Sequence, residues 1–583
     1  MLHAKTAVSP FRDSGFHHDR VAKTRWHKKP RARLHHGNAR KPVPGEHISF
    51  RQTRAFEQRI RAGVEHLKKP WVVHNSSRVA ISPLDVNLLP VLEHRLSPLA
   101  PIRRSLPYAL APHEIVFPSP RKDYTLFMPL LDGLFYSPSV EPFFSDLACV
   151  QAMLDFEAAL ARAEAKVGIV PSAAAAAITA NCRAGLFDLN ALSAAAPLSG
   201  NLAIPLVKQL TALVARQDSA AARFVHWGAT SQDAIDTGLI LQIRSATTAI
   251  LSELDSLCDA FANLADKHRL TPIAARTLLQ QALPTSFGFI VAGWLDALLR
   301  HRARLQALHK GVFVLQFGGA VGTLAALGPH GPSISKHLAE QLSLPLPSAS
   351  WHSHRDRIGE IAASFGLLAG TLNKIARDLS LHTQTEIGEL AEPHSPGRGG
   401  SSTMPHKQNP VACAAVLAAT NRIPGLVSTL LAVQSQDHQR GLGSWHAEWT
   451  TLPEIVRLTA GALHHLAALA PKLQINTNRM RENLDATRGL IYAEAVSMTL
   501  AEKLGRAAAH EKIEAACLLA NSSHRHLREV LASQRDTSSL LSSEELDRLF
   551  DPLNYLGSSS AMIDSILQAV RLRHQSQQRS AGD

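Results

Sequence analysis

The sequence predicts an all-α protein built on a bundle of long helices, with a basic, disordered extension in front of it. Three observations carry that reading. Apolar residues recur at helical spacing through segments much longer than the average globular helix, alternating β-branched runs are scarce between them, and the surplus of Lys and Arg is confined to the first 127 of 583 residues. Residues 1–127 hold 23 Lys and Arg against 9 Asp and Glu, whereas the rest of the chain holds 38 against 39.

The extension is rich in Arg, Lys and His, has scattered Pro and shows no sustained apolar period, so it is expected to be disordered. Its Arg-rich, acid-poor start allows a transit peptide. The plainer reading is an upstream extension of the reading frame, with Met128-Pro129-Leu130-Leu131 as the natural beginning. The first helix opens at Asp146: Leu147, Val150, Leu154, Ala158, Ala161 and Ala165 share one face, and Gly168 with Pro171 ends it. Further long helices are expected over 233–267, 285–310, 355–380, 410–433 and 449–469. The expected divisions are the extension (1–127), an N-terminal helical domain (128–235), a central bundle carrying a Gly- and Pro-rich loop at 393–410 (236–480) and a C-terminal helical domain (481–583). Helices this long leave apolar stripes that neighbouring subunits can cover.

Charge and composition exclude several partners. The folded part is close to neutral, with no basic patch interleaved with aromatics, so nucleic acid is not an expected partner. No uninterrupted apolar run reaches about 18 residues, which argues against a membrane span. Cys149, Cys182, Cys258, Cys413 and Cys517 lie far apart without C-x-x-C spacing and read as buried apolar residues of a reducing compartment, the cytoplasm.

The chemistry concentrates in Gly399-Gly400-Ser401-Ser402-Thr403-Met404-Pro405-His406-Lys407-Gln408-Asn409-Pro410. Glycines and prolines break the helix here and let the backbone turn its N–H groups toward an anion. Lys407 can hold a carboxylate and Asn409 can donate to one. A Ser401 hydroxyl ringed by N–H donors and a cation can act as an alkoxide base toward a weakly acidic C–H. Two more segments lie at expected helix starts or breaks: His226-Trp227-Gly228-Ala229-Thr230-Ser231-Gln232-Asp233 and Arg276-Thr277-Leu278-Leu279-Gln280-Gln281-Ala282-Leu283-Pro284. Thr230 and Ser231 beside Asp233 suit a helix cap, a carboxylate site or both.

In order and spacing these three segments resemble the shared regions of the aspartase/fumarase superfamily, whose loop pattern Gly-Ser-x-x-Met-x-x-Lys-x-Asn is met by Gly400, Ser401, Met404, Lys407 and Asn409. The resemblance covers roughly residues 128–583. It implies a cytoplasmic homotetramer with a central bundle, each active site collecting one region from each of three subunits, and it implies no cofactor and no metal. It also implies Ser401 as catalytic base or proton carrier with Lys407 beside it. Around the substrate carboxylates it implies Thr230, Ser231, Gln232, Thr277, Gln280, Ser402, Met404 and Asn409, with His226 as a carboxylate contact or proton relay and Ser199 and Asn201 as weaker matches.

Two departures narrow the chemistry. Many lyases of the superfamily place His after the residue matching Thr277 and Glu five residues after the Asn; here those positions hold Leu278 and Ala414. Both halves of an acid relay are missing, and an amine or hydroxide leaves poorly without one. A carboxylate, with a reference pKa near 4, needs no such help. The wording of the motifs, with Gln316-Phe317-Gly318-Gly319-Ala320, resembles the muconate cycloisomerases of this superfamily. That resemblance implies a tricarboxylate substrate whose own carboxylate adds across its double bond to give a lactone, in the breakdown of protocatechuate. The alternatives are a fumarate-releasing lyase like adenylosuccinate lyase and a non-catalytic structural member. His352 and His354 read as capping and salt-bridging groups, and Glu386, Glu389 and Glu392 as a polar helix face, rather than as metal ligands.

Overall fold

The computed structural model describes residues 130–395 and 397–582. The basic extension expected over 1–127 lies outside the described residues, as do Met128 and Pro129. What is described is helical, with two short antiparallel strand pairings, one of them a hairpin.

The first long helix, α1 (Asp146–Val167), forms where the apolar spacing placed it, and its ends have local causes. Ser145 Oγ accepts from Ala148 N at 3.2 Å at the start. Gly168 ends the helix at φ +85°, where a side chain would be strained. Val150, Leu154, Ala158 and Ala161 are buried, but Leu147 at the first turn is half exposed. Five long helices then build the bundle: α2 (Ser231–Lys267), α3 (Phe287–Gly311), α4 (Asp356–His382), α5 (Val411–Ala432) and α6 (Ser444–Leu469). α2 packs on α1, α3 and α6; α4 packs on α3, α5 and α6. With 37 residues, α2 runs roughly 55 Å at 1.5 Å per residue, so the residues at its N-terminus project well beyond its middle.

Two features differ from the sequence expectation, and a third bears on it without contradicting it. Residues 272–286 form a β-hairpin, β1 (Pro272–Thr277) with β2 (Gln280–Ser286), so α3 begins at Phe287, where Ser286 Oγ accepts from Phe289 N. The polar face expected at Glu386, Glu389 and Glu392 is not helical, because α4 stops at His382 and Gly388 turns the chain at φ +61°. Finally, α5 is long and apolar enough to cross a membrane by length and composition. It is an Ala-rich bundle helix, buried through Cys413, Val416, Ala419 and Ile423 between α4 and α6.

A second apolar cluster, with Leu484, Val496, Ile513, Leu527 and Val530, lies beyond the bundle core that holds Met480. The last helix, α7 (Ser559–Gly582), returns to the bundle: Ile563, Leu567 and Val570 join its core against α2 and α3. The division drawn at 235/236 falls inside α2. All five cysteines are free; Cys182, Cys258 and Cys413 are buried and Cys149 and Cys517 partly so.

Candidate active site

The start of α2 is organised by one buried carboxylate. Asp233 Oδ2 accepts from Thr230 N at 3.0 Å and Gly319 N at 2.9 Å, and Oδ1 accepts from Gly318 N at 3.0 Å and from His352 Nε2 at 2.7 Å. Gln316 Nε2 adds a weaker contact at 3.3 Å. A single side chain thus ties the Gln316–Gly319 segment and the His352 segment to the helix N-terminus, leaving Thr230 and Ser231 partly exposed there. Gly319, at φ +68°, passes so close that a Cβ would stand 2.9 Å from Gly228 O. Only glycine lets these two segments meet.

Gln232 departs from the sequence expectation. It is fully buried, donating to His352 O at 2.9 Å and Asp236 Oδ2 at 3.1 Å while accepting from Arg440 Nε at 2.9 Å. One residue is 100° of helix, so Gln232 points inward where Ser231 does not. One turn on, Asp236 binds Arg355 through 2.7 and 3.1 Å bonds, and Glu448 holds the same guanidinium from α6. His352 and Arg355 therefore do what was expected of that segment: they bridge to carboxylates.

His226 lies just before this cap at φ +58° and its Nδ1 meets Glu157 Oε1 of α1 at 2.6 Å. Burial pushes its proton affinity down, but the Glu157 carboxylate, with Asp233 behind it, more than reverses this and leaves the ring above the ordinary histidine value.

The second segment is the hairpin end. Thr277 pairs with Gln280, and Leu278 and Leu279 make the two-residue turn at φ +51° and +65°, 97% and 77% exposed. Two leucines in a left-handed turn and in water are held against both backbone and solvation preference. The base of the hairpin is rigid: Arg276 forks onto Glu389 at 2.9 and 2.8 Å, and Glu389 also accepts from Asn483 at 2.8 Å and meets His382 Nδ1 at 2.6 Å. Burial pushes the Glu389 carboxyl up, yet these three partners hold it below the usual range.

In the loop, Ser401 Oγ accepts from Thr403 N at 3.3 Å and Met404 N at 3.0 Å, so two amides already surround the hydroxyl. Asn409 N donates to Gly399 O at 2.8 Å and closes the loop at its neck, where Gly399 is at φ +67°. Glu392 caps α5, accepting from Ala412 N and Cys413 N, and pairs with Arg398 at 3.1 Å. Ser402, Met404 and Lys407 face outward. Among the described residues Lys407 has no ion pair, leaving its cation available to an anion. Asn201 uses its Oδ1 to accept from Ile204 N, and it lines a cavity of about 460 Å³ with Gly200, Cys149 and Trp449. Ser199 ends the helix Leu189–Ser199 beside it.

Glu389 and Glu392 link the hairpin base to the loop base. Among the described residues, however, no hydrogen bond or ion pair joins Thr230–Gln232, Thr277–Gln280 and Ser401–Asn409 to one another. Sequence reading passed over Glu157 and Arg440, whose partners are far away in the chain and belong to no local pattern.

Comparison with known proteins places this arrangement. Residues 139–425 match the lyase family and residues 489–566 the adenylosuccinate lyase C-terminus. The chain is 51% identical over 446 residues to the 3-carboxy-cis,cis-muconate cycloisomerase of Bradyrhizobium diazoefficiens, covering 76% of this chain and 99% of that protein. The chain belongs to the 3-carboxy-cis,cis-muconate cycloisomerase family of the fumarase/aspartase superfamily. The enzyme of the same name from Pseudomonas aeruginosa is 52% identical over 438 residues, 75% of this chain and 95% of that one. The crystal structure of the 3-carboxy-cis,cis-muconate lactonizing enzyme of Pseudomonas putida superposes with a TM-score of 0.73 at 50% identity, covering 76% of this chain and 99% of that one. The long-helix bundle carrying a Gly- and Pro-rich loop is the architecture expected from the sequence, whereas the hairpin at 272–286 was not expected.

Proposed function

We propose that this protein converts 3-carboxy-cis,cis-muconate to 4-carboxymuconolactone in the cytoplasm, as a step of protocatechuate breakdown. The observation that carries the reading is the 51% identity along 99% of a cycloisomerase, and Leu278 and Ala414, which leave no acid relay for an amine or hydroxide leaving group, support it. In this reading Lys407, Asn409, Thr230, Ser231 and the amides around Ser401 hold the substrate carboxylates. They stabilise the aci-carboxylate as the attacking carboxylate oxygen forms its bond to the alkene carbon. Binding folds the substrate so that attack is intramolecular. Ser401 then delivers a proton to the carbon beside the stabilised carboxylate, and water restores its hydrogen.

The working unit in this reading is a homotetramer. Among the described residues no hydrogen bond or ion pair joins the three segments, and a neighbouring subunit would cover the exposed Leu278–Leu279 turn. Thr277 and Gln280 would then approach the substrate of a neighbouring site, with Ser402 and Met404 at its loop side and Ser199 and Asn201 at its edge. Loss of 3-carboxymuconate absorbance on adding the purified protein tests the reaction, and an unchanged spectrum rejects it. The match of residues 489–566 to the adenylosuccinate lyase C-terminus favours a second reading, a fumarate-releasing lyase; fumarate release from a succinyl adduct would decide for it.

Two variants follow. Lys407→Met should raise KM and lower kcat together, lowering kcat/KM by about ten- to a hundredfold, because the lost charge-assisted contact is worth roughly 1.5–3 kcal/mol. Steady-state kinetics with both constants unchanged would remove Lys407 from the site. Leu278→His with Ala414→Glu should not speed lactonisation, since the nucleophile is already a carboxylate and needs no proton relay. A faster double variant would show that the native site lacks a useful acid.

A further inference from the structure

We propose that Glu157 is a positioning residue of this site, holding His226 with Nδ1 turned inward so that Nε2 is presented as a hydrogen-bond donor to a substrate carboxylate beside Thr230 and Ser231. The inference rests on the cycloisomerase reading for its ligand, but the pair itself stands on geometry. Glu157 is 2% exposed on α1, and its Oε1 lies 2.6 Å from His226 Nδ1. Its Oε2 is buried with no hydrogen-bond partner. A buried carboxylate left half satisfied is costly wherever an apolar residue would fill the same helix face. His226 adds a second cost, a left-handed backbone at φ +58°. Two unfavourable features that meet in one 2.6 Å contact, four residues before the α2 cap, mark a built arrangement. His226 Nε2 makes no hydrogen bond among the described residues, and the side chain keeps 16% of its surface open.

The surrounding charges favour the donor form. Glu157 and Glu164 face this region from α1, Asp233 faces it from α2, and His352 lies behind Asp233. Burial and then the Glu157 charge push the Glu164 carboxyl up to about 9, so it is neutral near pH 7. The Cys182 thiol is driven up by burial and by Glu157 and stays neutral too. Asp233 is already shared among Thr230, Gly318, Gly319 and His352. Glu157 is therefore the charge that fixes both the orientation and the proton count of His226. An imidazolium at the positive end of α2 extends the carboxylate-binding surface without a mobile side chain.

Site-resolved carbethoxylation of His226 in the full chain, read by mass spectrometry across pH, reports the neutral ring independently of turnover. In Glu157→Gln the modification rate at about pH 6.5 should rise roughly tenfold over wild type, the effect of losing an opposite charge at hydrogen-bond distance. Lactonisation by the same variant should show KM raised about tenfold with kcat changed much less, and the increase should grow with pH. Glu157→Asp should keep the wild-type modification profile while raising KM, which separates charge from reach and serves if the Gln variant misfolds. In a His226→Gln background, Glu157→Gln should add nothing to KM. A modification profile unmoved by Glu157→Gln, or additive effects in the double variant, overturns the proposal. Absence of lactonisation in the wild type would count against the proposed reaction, and the modification profile would still decide the pair.

Discussion

Ser401→Ala should lower kcat by at least a hundredfold while KM moves little. Proton transfer by a placed side chain contributes about 10²–10⁴ in rate, and a hydroxyl used for that purpose acts mainly in the transition state. The structure sharpens the expectation. Ser401 Oγ already accepts from the amides of Thr403 and Met404, so the alkoxide that remains after proton delivery meets two donors without rearrangement. Alanine removes the proton carrier and frees both amides, whereas the loop neck, held by Asn409 N on Gly399 O, stays intact. Steady-state kinetics and substrate binding by titration would be compared. A variant keeping more than about a tenth of wild-type kcat takes Ser401 out of the proton-transfer role.

How far the sequence could be read depended on how local each interaction is. Helix α1 was legible to its last residue because its periodicity and its Gly168 stop lie within one window. The hairpin was not. Its turn, Leu278-Leu279, carries none of the Gly, Asn or Asp that normally marks a two-residue turn with positive φ. The same absence is informative once the fold is known, since the strained leucines lie in one of the three shared segments. Glu386, Glu389 and Glu392 show the opposite failure. Spacing of three suggested a helix face, but Glu389 is claimed by Arg276, 113 residues away, and Glu392 by the start of α5. The resemblance implies Gln232 beside Thr230 and Ser231 at the substrate, but helix geometry turns its side chain inward. Glu157 and His226, 69 residues apart, offered no pattern at all. Local chemistry was visible in the string; charge pairing across the fold was not.

Arg355→Met should cost about 3–5 kcal/mol of stability, the usual loss when one partner of a buried ion pair is removed. Arg355 is 1% exposed and serves two carboxylates, Asp236 on α2 and Glu448 on α6, while Trp445 Nε1 donates to Asp236 at 3.0 Å and the Trp351 ring lies 4.8 Å from the guanidinium carbon. Methionine keeps much of the volume over Trp351 but leaves two buried negative charges facing each other. Burial already raises the Glu448 carboxyl, and what restrains it is Arg355. Without that cation its folded-state pKa rises further above the unfolded value. The folded variant then binds a proton that the unfolded chain releases, so its stability is greatest in acid and is lost as pH rises through the folded pKa. Urea unfolding followed by tryptophan fluorescence, at fixed protein concentration, should show a larger deficit at about pH 8 than at about pH 5.5. Adding Asp236→Asn and Glu448→Gln should recover most of it, because two neutral amide side chains no longer need the cation. Since Asp236 stands one turn from Gln232, the single variant should also loosen the α2 cap and raise KM. A variant as stable as wild type at the higher pH would mean that water reaches these carboxylates and that the trio does not brace the start of α2.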